Sequence, residues 1–187
     1  MNMVKNYLDL AKQKYDESND VDFNLTLNEF LCDCYVRLKP CSYGSRIQAK
    51  IIKDLNLTSI SPSLNIGDVA MGKKNGEIKA SYLDKKKSYN LTHLRMWQKF
   101  QYYVFCFIDC ENDFTPEFYV LDKYVLNLVK MTPMNGTKES NSENTNIELR
   151  ATVKKNGETH KLFKKNNKLS GTSFEDLKSF SDNLMLK

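Results

Sequence analysis

No run of apolar residues in this 187-residue chain approaches the length needed to cross a membrane. The opening stretch MNMVKNYLDLAKQKYDE has no apolar signal core. A membrane or secreted protein is therefore not expected. Internal repeats are missing, which sets aside solenoids and propellers. A glycine-rich phosphate loop is missing too, which argues against a nucleotide-driven machine and any nucleotide cofactor. Histidine is scarce, with His93 and His160 isolated from each other. The five cysteines (Cys32, Cys34, Cys41, Cys106 and Cys110) follow no standard zinc spacing. An odd number of cysteines without a signal peptide points to reduced, buried thiols in a cytoplasmic protein. Charge is not strongly of one sign either. A net charge of +5 and a pI near 8.8 permit a polyanionic partner without demanding one.

What the chain does have is aromatic residues, ten Tyr and ten Phe, and enough length to bury a real core in one domain. Val4, Tyr7, Leu8, Ala11 and Tyr15 fall on one helical stripe. Thr26 followed by Glu29 is a capping-box pattern opening a helix that buries Leu27, Phe30, Leu31, Cys34 and Leu38, with Pro40 as its stop. A further helix over 41–52 turns Ile47, Ile51 and Leu55 inward. Residues 57–63 read as a loop. YYVFCFID, at 102–109, is apolar on both faces, as a central strand covered by helices should be. Another strand follows at 118–121, and then a helix capped by Asp122 with Val125, Leu126, Leu128 and Val129 inward. Two short strands meeting around the Asn156-Gly157 turn, and a helix capped by Ser173, complete the chain. This order predicts an α/β fold with a mixed central β-sheet flanked by helices.

The stretch that organises the chain is LNIGDVAMGKKNGEIKASYLD, at 64–84, which reads as a β-hairpin. Asn75-Gly76 is a strong turn signal because both residues tolerate positive φ. Asp68 lies on the first strand, and Glu77 and Lys79 share one face of the second, with Ile78 on the other. Two registers are open. A turn centred on Gly72-Lys73 sets Asp68 opposite Glu77, whereas one centred on Asn75-Gly76 offsets them by several residues. Two carboxylates at ~4 Å repel by roughly 4 kcal/mol at an effective dielectric near ~20. Such a pair persists if one is protonated, if a cation lies between them, or if the register separates them. Mg²⁺ suits oxygen ligands and leaves room for waters and a substrate phosphate. A lysine beside it can hold the attacking water or the charge developing at phosphorus.

Asp68 with Glu77-Ile78-Lys79 resembles the motif of the PD-(D/E)XK nuclease superfamily, and within it the small type II restriction endonucleases. Ile66-Gly67 stand where that family often has proline. The resemblance covers roughly residues 43–153 and implies a Mg²⁺-dependent endonuclease acting on double-stranded DNA. Asp68, Glu77 and the Ile78 carbonyl would hold the metal, and Lys79 would act on water. The family's helical glutamate matches Gln48, which keeps an oxygen donor but lacks the charge that a second full metal site would use. A homodimer would cut both strands of a palindromic site by symmetry.

The same resemblance divides the chain into N-terminal helices (1–42), a catalytic core (43–131) and a recognition loop with C-terminal elements (132–187). Arg46, Arg95 and Gln98 are expected to approach DNA. The polar, asparagine-rich segment 135–146 is either a tether or a recognition loop. In the second case Asn135, Lys138 and, behind them, Arg150 contact DNA in a groove. Trp97 reads mainly as a core anchor, and Lys85-Lys86-Lys87 as a solvated run that can also meet phosphates. Two rival functions stand beside restriction cleavage. One is a structure-specific repair or junction nuclease; the other is a non-catalytic nucleic-acid-binding module of the same fold.

Overall fold

The computed structural model describes residues 22–38, 40–134 and 147–186. The helix expected over 4–15 and the polar segment 135–146 lie outside them. Helix α1 (Leu27–Arg37) begins as expected, with Thr26 and Glu29 forming a reciprocal capping box. Its last residue is Arg37, Leu38 turns extended, and Pro40 becomes the first residue of α2 (Pro40–Asp54). Proline's fixed φ and missing N–H suit a helix start as well as they suit a stop. The loop expected at 57–63 contains the short β1 (Thr58–Ser59) and a 3-10 turn, Pro62–Leu64.

The hairpin is β2 (Val69–Met71) and β3 (Lys74–Tyr82). Strand β4 (Ser88–Leu94) leaves the sheet, and β5 (Tyr102–Asp109) returns to pair parallel with β3. An antiparallel β6 (Thr115–Asp122) closes a five-stranded mixed sheet of order β1-β2-β3-β5-β6. The expected α/β class with a mixed central sheet is present.

Every residue of β5 is buried, and alternation divides the core in two. Val104, Cys106 and Ile108 meet Phe30, Ile47 and Ile51 of the helices. Tyr103, Phe105 and Phe107 face the other way, where the cover is not purely helical. That side carries a second, three-stranded sheet of order β4-β8-β7, built with β7 (Thr132–Pro133) and β8 (Leu149–Lys154), and the short α3 (Glu158–Asn166). Tyr89, Leu91, Ala151, Val153 and Phe163 supply its apolar surface.

Two further expectations are corrected. Residues Lys123–Leu128 form a 3-10 turn rather than an α-helix, and the period of three turns Leu126 and Val129 inward while Leu128 stays 70% exposed. Asp122 makes no side-chain cap and pairs with Lys168 at 2.6 Å. After Asn156-Gly157 the chain enters α3 instead of a second strand. Asn156 takes positive φ, Gly157 is the N-cap, and the Asn156 N–H donates to His160 Nδ1 at 2.9 Å. Helix α4 (Phe174–Met185) opens on Ser173 as expected, with Asp176 completing a capping box. The outer edge of β6 is covered by the segment before α4, through bonds such as Phe118 N–H to the Thr172 carbonyl at 2.8 Å. Among the described residues no helix is long and apolar enough to cross a membrane.

Candidate active site

The hairpin register is the one with the turn at Gly72-Lys73, because Val69 pairs with Gly76, Ala70 with Asn75 and Met71 with Lys74. Asn75-Gly76 therefore lies inside β3. Its turn chemistry is overridden by tertiary pairing: the Asn75 N–H donates to the Gln101 side chain at 2.7 Å and its carbonyl accepts the Gln101 N–H at 2.9 Å. The turn itself needs Gly72, whose φ is +63 and where a Cβ would lie 2.2 Å from the Leu184 carbonyl oxygen at the end of α4.

This register brings Asp68 beside Glu77, at the fork where the short β2 parts from the longer β3. The Asp68 N–H donates to the Gly76 carbonyl at 2.8 Å, and its own carbonyl accepts the Ile60 N–H at 2.9 Å. Beyond Gly76 the β2 ladder has ended, and the carboxylate takes over its role: Asp68 Oδ2 accepts the Ile78 N–H at 2.9 Å. An orphan backbone donor is thereby satisfied and the aspartate is held in one orientation. By strand geometry the Ile78 carbonyl points to the same edge as its N–H, so it faces this fork too.

Glu77 is only 2% exposed. Lys79, two residues on and on the same face, donates to Glu77 Oε1 at 2.5 Å. Burial pushes the Glu77 carboxyl above its ordinary range and the neighbouring Asp68 adds to that, while the Lys79 and Arg95 charges pull the other way without cancelling it.

An open cleft of about 640 Å³ runs over the fork. Gln48 and Lys53 of α2, Asp68, Glu77, Lys79 and Arg95 line it. Of the residues expected from sequence, the structure thus gathers Asp68, Glu77, Lys79, Gln48 and Arg95 in one place. Others lie elsewhere. Gln98 is 4% exposed, its side-chain oxygen has no hydrogen-bond partner among the described residues, and its carbonyl accepts Lys123 Nζ at 2.6 Å. The expected DNA contact from Gln98 is corrected accordingly: its side chain is packed inside the protein. Arg46 is half-buried on α2 and is not among the residues lining the cleft. Arg150 is exposed on β8, donating from Nε to Thr132 Oγ1 at 3.2 Å. Asn135 and Lys138 lie outside the described residues. Cys32, Cys34 and Cys106 are buried and Cys110 half-buried. Burial pushes the Cys32 and Cys110 thiols up to about 11 and that of Cys34 up to about 12, which keeps all three protonated at neutral pH.

Two residues at the cleft's margin had no signal in the sequence. Glu148 Oε1 accepts from Arg95 Nε at 2.7 Å, and its Oε2 pairs with His93 Nδ1 at 2.6 Å. Positions 95 and 148 meet only because β4 and β8 pair with Leu94 opposite Leu149.

No protein-family model matches this chain, and no curated protein matches it. What the cleft can bind rests on its own chemistry. Among the described residues no group of three His, Cys, Asp or Glu side chains is placed to hold a metal. Mg²⁺ asks for less, since one or two carboxylates with waters and a substrate phosphate complete its shell. Here the Asp68 and Glu77 carboxylates and the Gln48 amide are hard oxygen donors lining a cleft that admits water, and the Ile78 carbonyl lies on the same strand edge as Asp68. A cation would also relieve the burial and mutual repulsion that raise the Glu77 carboxyl. The donor set fits Mg²⁺.

Proposed function

We propose that this protein is a Mg²⁺-dependent DNA endonuclease, of restriction type, hydrolysing phosphodiester bonds in double-stranded DNA at a short specific sequence. The observation that carries the reading is the fork. Asp68, Glu77 and Lys79 line one open cleft, with the aspartate locked by the Ile78 N–H and the glutamate buried against the lysine. Asp68, Glu77 and the Ile78 carbonyl would hold the ion, with Gln48 as an uncharged neighbour. The chemistry supplied by a bound Mg²⁺ is Lewis-acid polarisation of the scissile phosphate. The chain's own residues do the rest. Lys79 presents its ammonium where an attacking water or the charge growing at phosphorus is stabilised by hydrogen bonding. The Asp68–Ile78 bond prevents the aspartate from swinging away as DNA enters. A homodimer would place two such clefts on opposite strands.

One observation favours a second reading. Lys79 already satisfies Glu77 without any ion, as an ion pair kept for stability in a non-catalytic nucleic-acid-binding module would do. Asp68→Asn separates the two, because the amide oxygen can still accept the Ile78 N–H while the charge is lost. Incubated with plasmid DNA and Mg²⁺, the wild type should give discrete bands, and a folded Asp68→Asn protein none. Cutting by Asp68→Asn at a rate near wild type would refute the metal assignment. A wild type that binds DNA and never cuts it establishes the binding module, and nicked circles or a smear a less specific nuclease.

A further inference from the structure

Arg95 stands out among the cations of the cleft for how it is fixed. Its backbone N–H donates to the Tyr103 hydroxyl at 3.0 Å and its Nε to Glu148 at 2.7 Å. Glu148 is itself held on its second oxygen by His93, which sits at positive φ where the β4–β8 register shifts between Leu91 and Leu94. Both oxygens of Glu148 are thus engaged, and the guanidinium is anchored through Nε alone. Its two terminal nitrogens donate to no other described residue, the side chain remains 35% exposed, and it lines the same cleft as Asp68, Glu77 and Lys79. Lys79, by contrast, spends a donor on Glu77.

From this geometry, and resting on the nuclease reading above, we infer that Arg95 contacts the scissile phosphate and that Glu148 is the positioning residue that holds it there. A guanidinium is a planar fork whose paired terminal N–H groups match two phosphate oxygens. Anchoring Nε removes much of the side chain's rotational freedom before substrate arrives, so the fork is already set when charge develops on the phosphoryl oxygens. Burial alone would raise the Glu148 carboxyl. Its hydrogen bonds to His93 and Arg95 outweigh that and draw it below the ordinary range, so the anchor stays ionised at neutral pH. The substrate class this names is a phosphodiester whose non-bridging oxygens enter the side of the cleft bounded by the β4–β8 sheet.

The test is a double-mutant cycle on single-turnover cleavage of long phage genomic DNA in Mg²⁺, with DNA affinity measured separately in Ca²⁺. Arg95→Ala should slow cleavage by about 10²–10³-fold, the range for removing one preorganised donor to developing charge. Arg95→Lys keeps the charge and a partner for Glu148 but loses the fork, so it should bind DNA like the wild type and cut slowly. It decides the matter if the alanine variant does not fold. Glu148→Gln should slow cleavage about 10-fold with affinity unchanged, as expected when an interaction made only in the transition state is loosened. Adding it to Arg95→Ala should cost nothing more. Free guanidinium ion should partly restore Arg95→Ala. Losses that multiply in the double variant would make Glu148 merely structural and overturn the inference. So would an Arg95→Lys protein cutting at the wild-type rate. In both cases the wild type still cuts and the nuclease reading stands. A wild type that leaves the DNA intact removes that reading, and the inference with it.

Discussion

Replacing Gly67 by alanine would perturb the cleft without touching a charged group. Gly67 sits at φ +102, outside the region an L-residue adopts comfortably, and a Cβ there would lie 2.6 Å from the Gly76 carbonyl oxygen. That same carbonyl accepts the Asp68 N–H at 2.8 Å. The methyl group would have to push β3 away from the fork or swing the backbone of residue 67, and either movement breaks the bond that sets Asp68 beside Glu77. Backbone strain of this kind costs about 1–3 kcal/mol. A lost hydrogen bond adds about 0.5–1.5 kcal/mol. We expect Gly67→Ala to be destabilised by about 1.5–4.5 kcal/mol in urea unfolding, combining those two contributions. Cleavage should fall by about 10²-fold, since a displacement near ~1 Å in a preorganised site costs that much. Gly44→Ala is the control. Gly44 lies within α2, and a Cβ there meets nothing within 4 Å, so alanine should stabilise the helix by up to about 1 kcal/mol and leave cleavage unchanged. Equal urea midpoints and equal cutting for Gly67→Ala and the wild type would refute the account of how Asp68 is placed.

Lys79→Ala should bind its DNA in Ca²⁺ with near-normal affinity but cut orders of magnitude more slowly in Mg²⁺, because the lysine acts where charge develops. Normal single-turnover rates would remove it from the chemistry. Replacing the exposed Lys85, Lys86 and Lys87 together should do the reverse, weakening binding and flattening its salt dependence while sparing the chemical step. Glu77→Gln should stabilise the fold at neutral pH while abolishing cleavage, a stability–function trade-off. The sign follows from the raised carboxyl: the folded protein holds the Glu77 proton more tightly than the unfolded chain does. Its contribution to stability is therefore full below the ordinary value of 4.5 and is lost as pH rises through the raised folded value. The advantage of glutamine should accordingly shrink on acidification. Urea unfolding at neutral and at acid pH reads this directly, and a wild type more stable than Glu77→Gln at neutral pH would contradict it.

Much of this molecule was legible because local rules and global packing agree. Thr26 with Glu29, Ser173 before α4, and the inward stripe of Ile47, Ile51 and Leu55 all declare helices whose caps and apolar faces are set within a few residues of chain. The doubly apolar run at 102–109 declared a buried central strand for the same reason, since neither face could be left in water. Local rules failed where two of them competed over a short span. Leu126 and Leu128 suit either helical period until packing chooses one, and Asn156-Gly157 turns a chain into a helix as readily as into a strand.

The sequence by itself determined the chemistry available at the site: Asp68, Glu77 and Lys79 on a hairpin, with the glutamate and lysine necessarily on one face because side chains alternate along a strand. Tertiary structure decided where that chemistry meets. Asn75-Gly76 is the stronger turn signal, yet β5 pairs alongside β3 from Gly76 onward and Gln101 binds Asn75, so the turn moves to Gly72-Lys73 and Asp68 arrives at Glu77. Glu148 reaches Arg95 only through the pairing of β4 with β8, between strands more than fifty residues apart in the chain. Register and cross-sheet contacts are set by which distant strands compete for the same backbone hydrogen bonds and the same buried face. No local stretch of sequence carries that information.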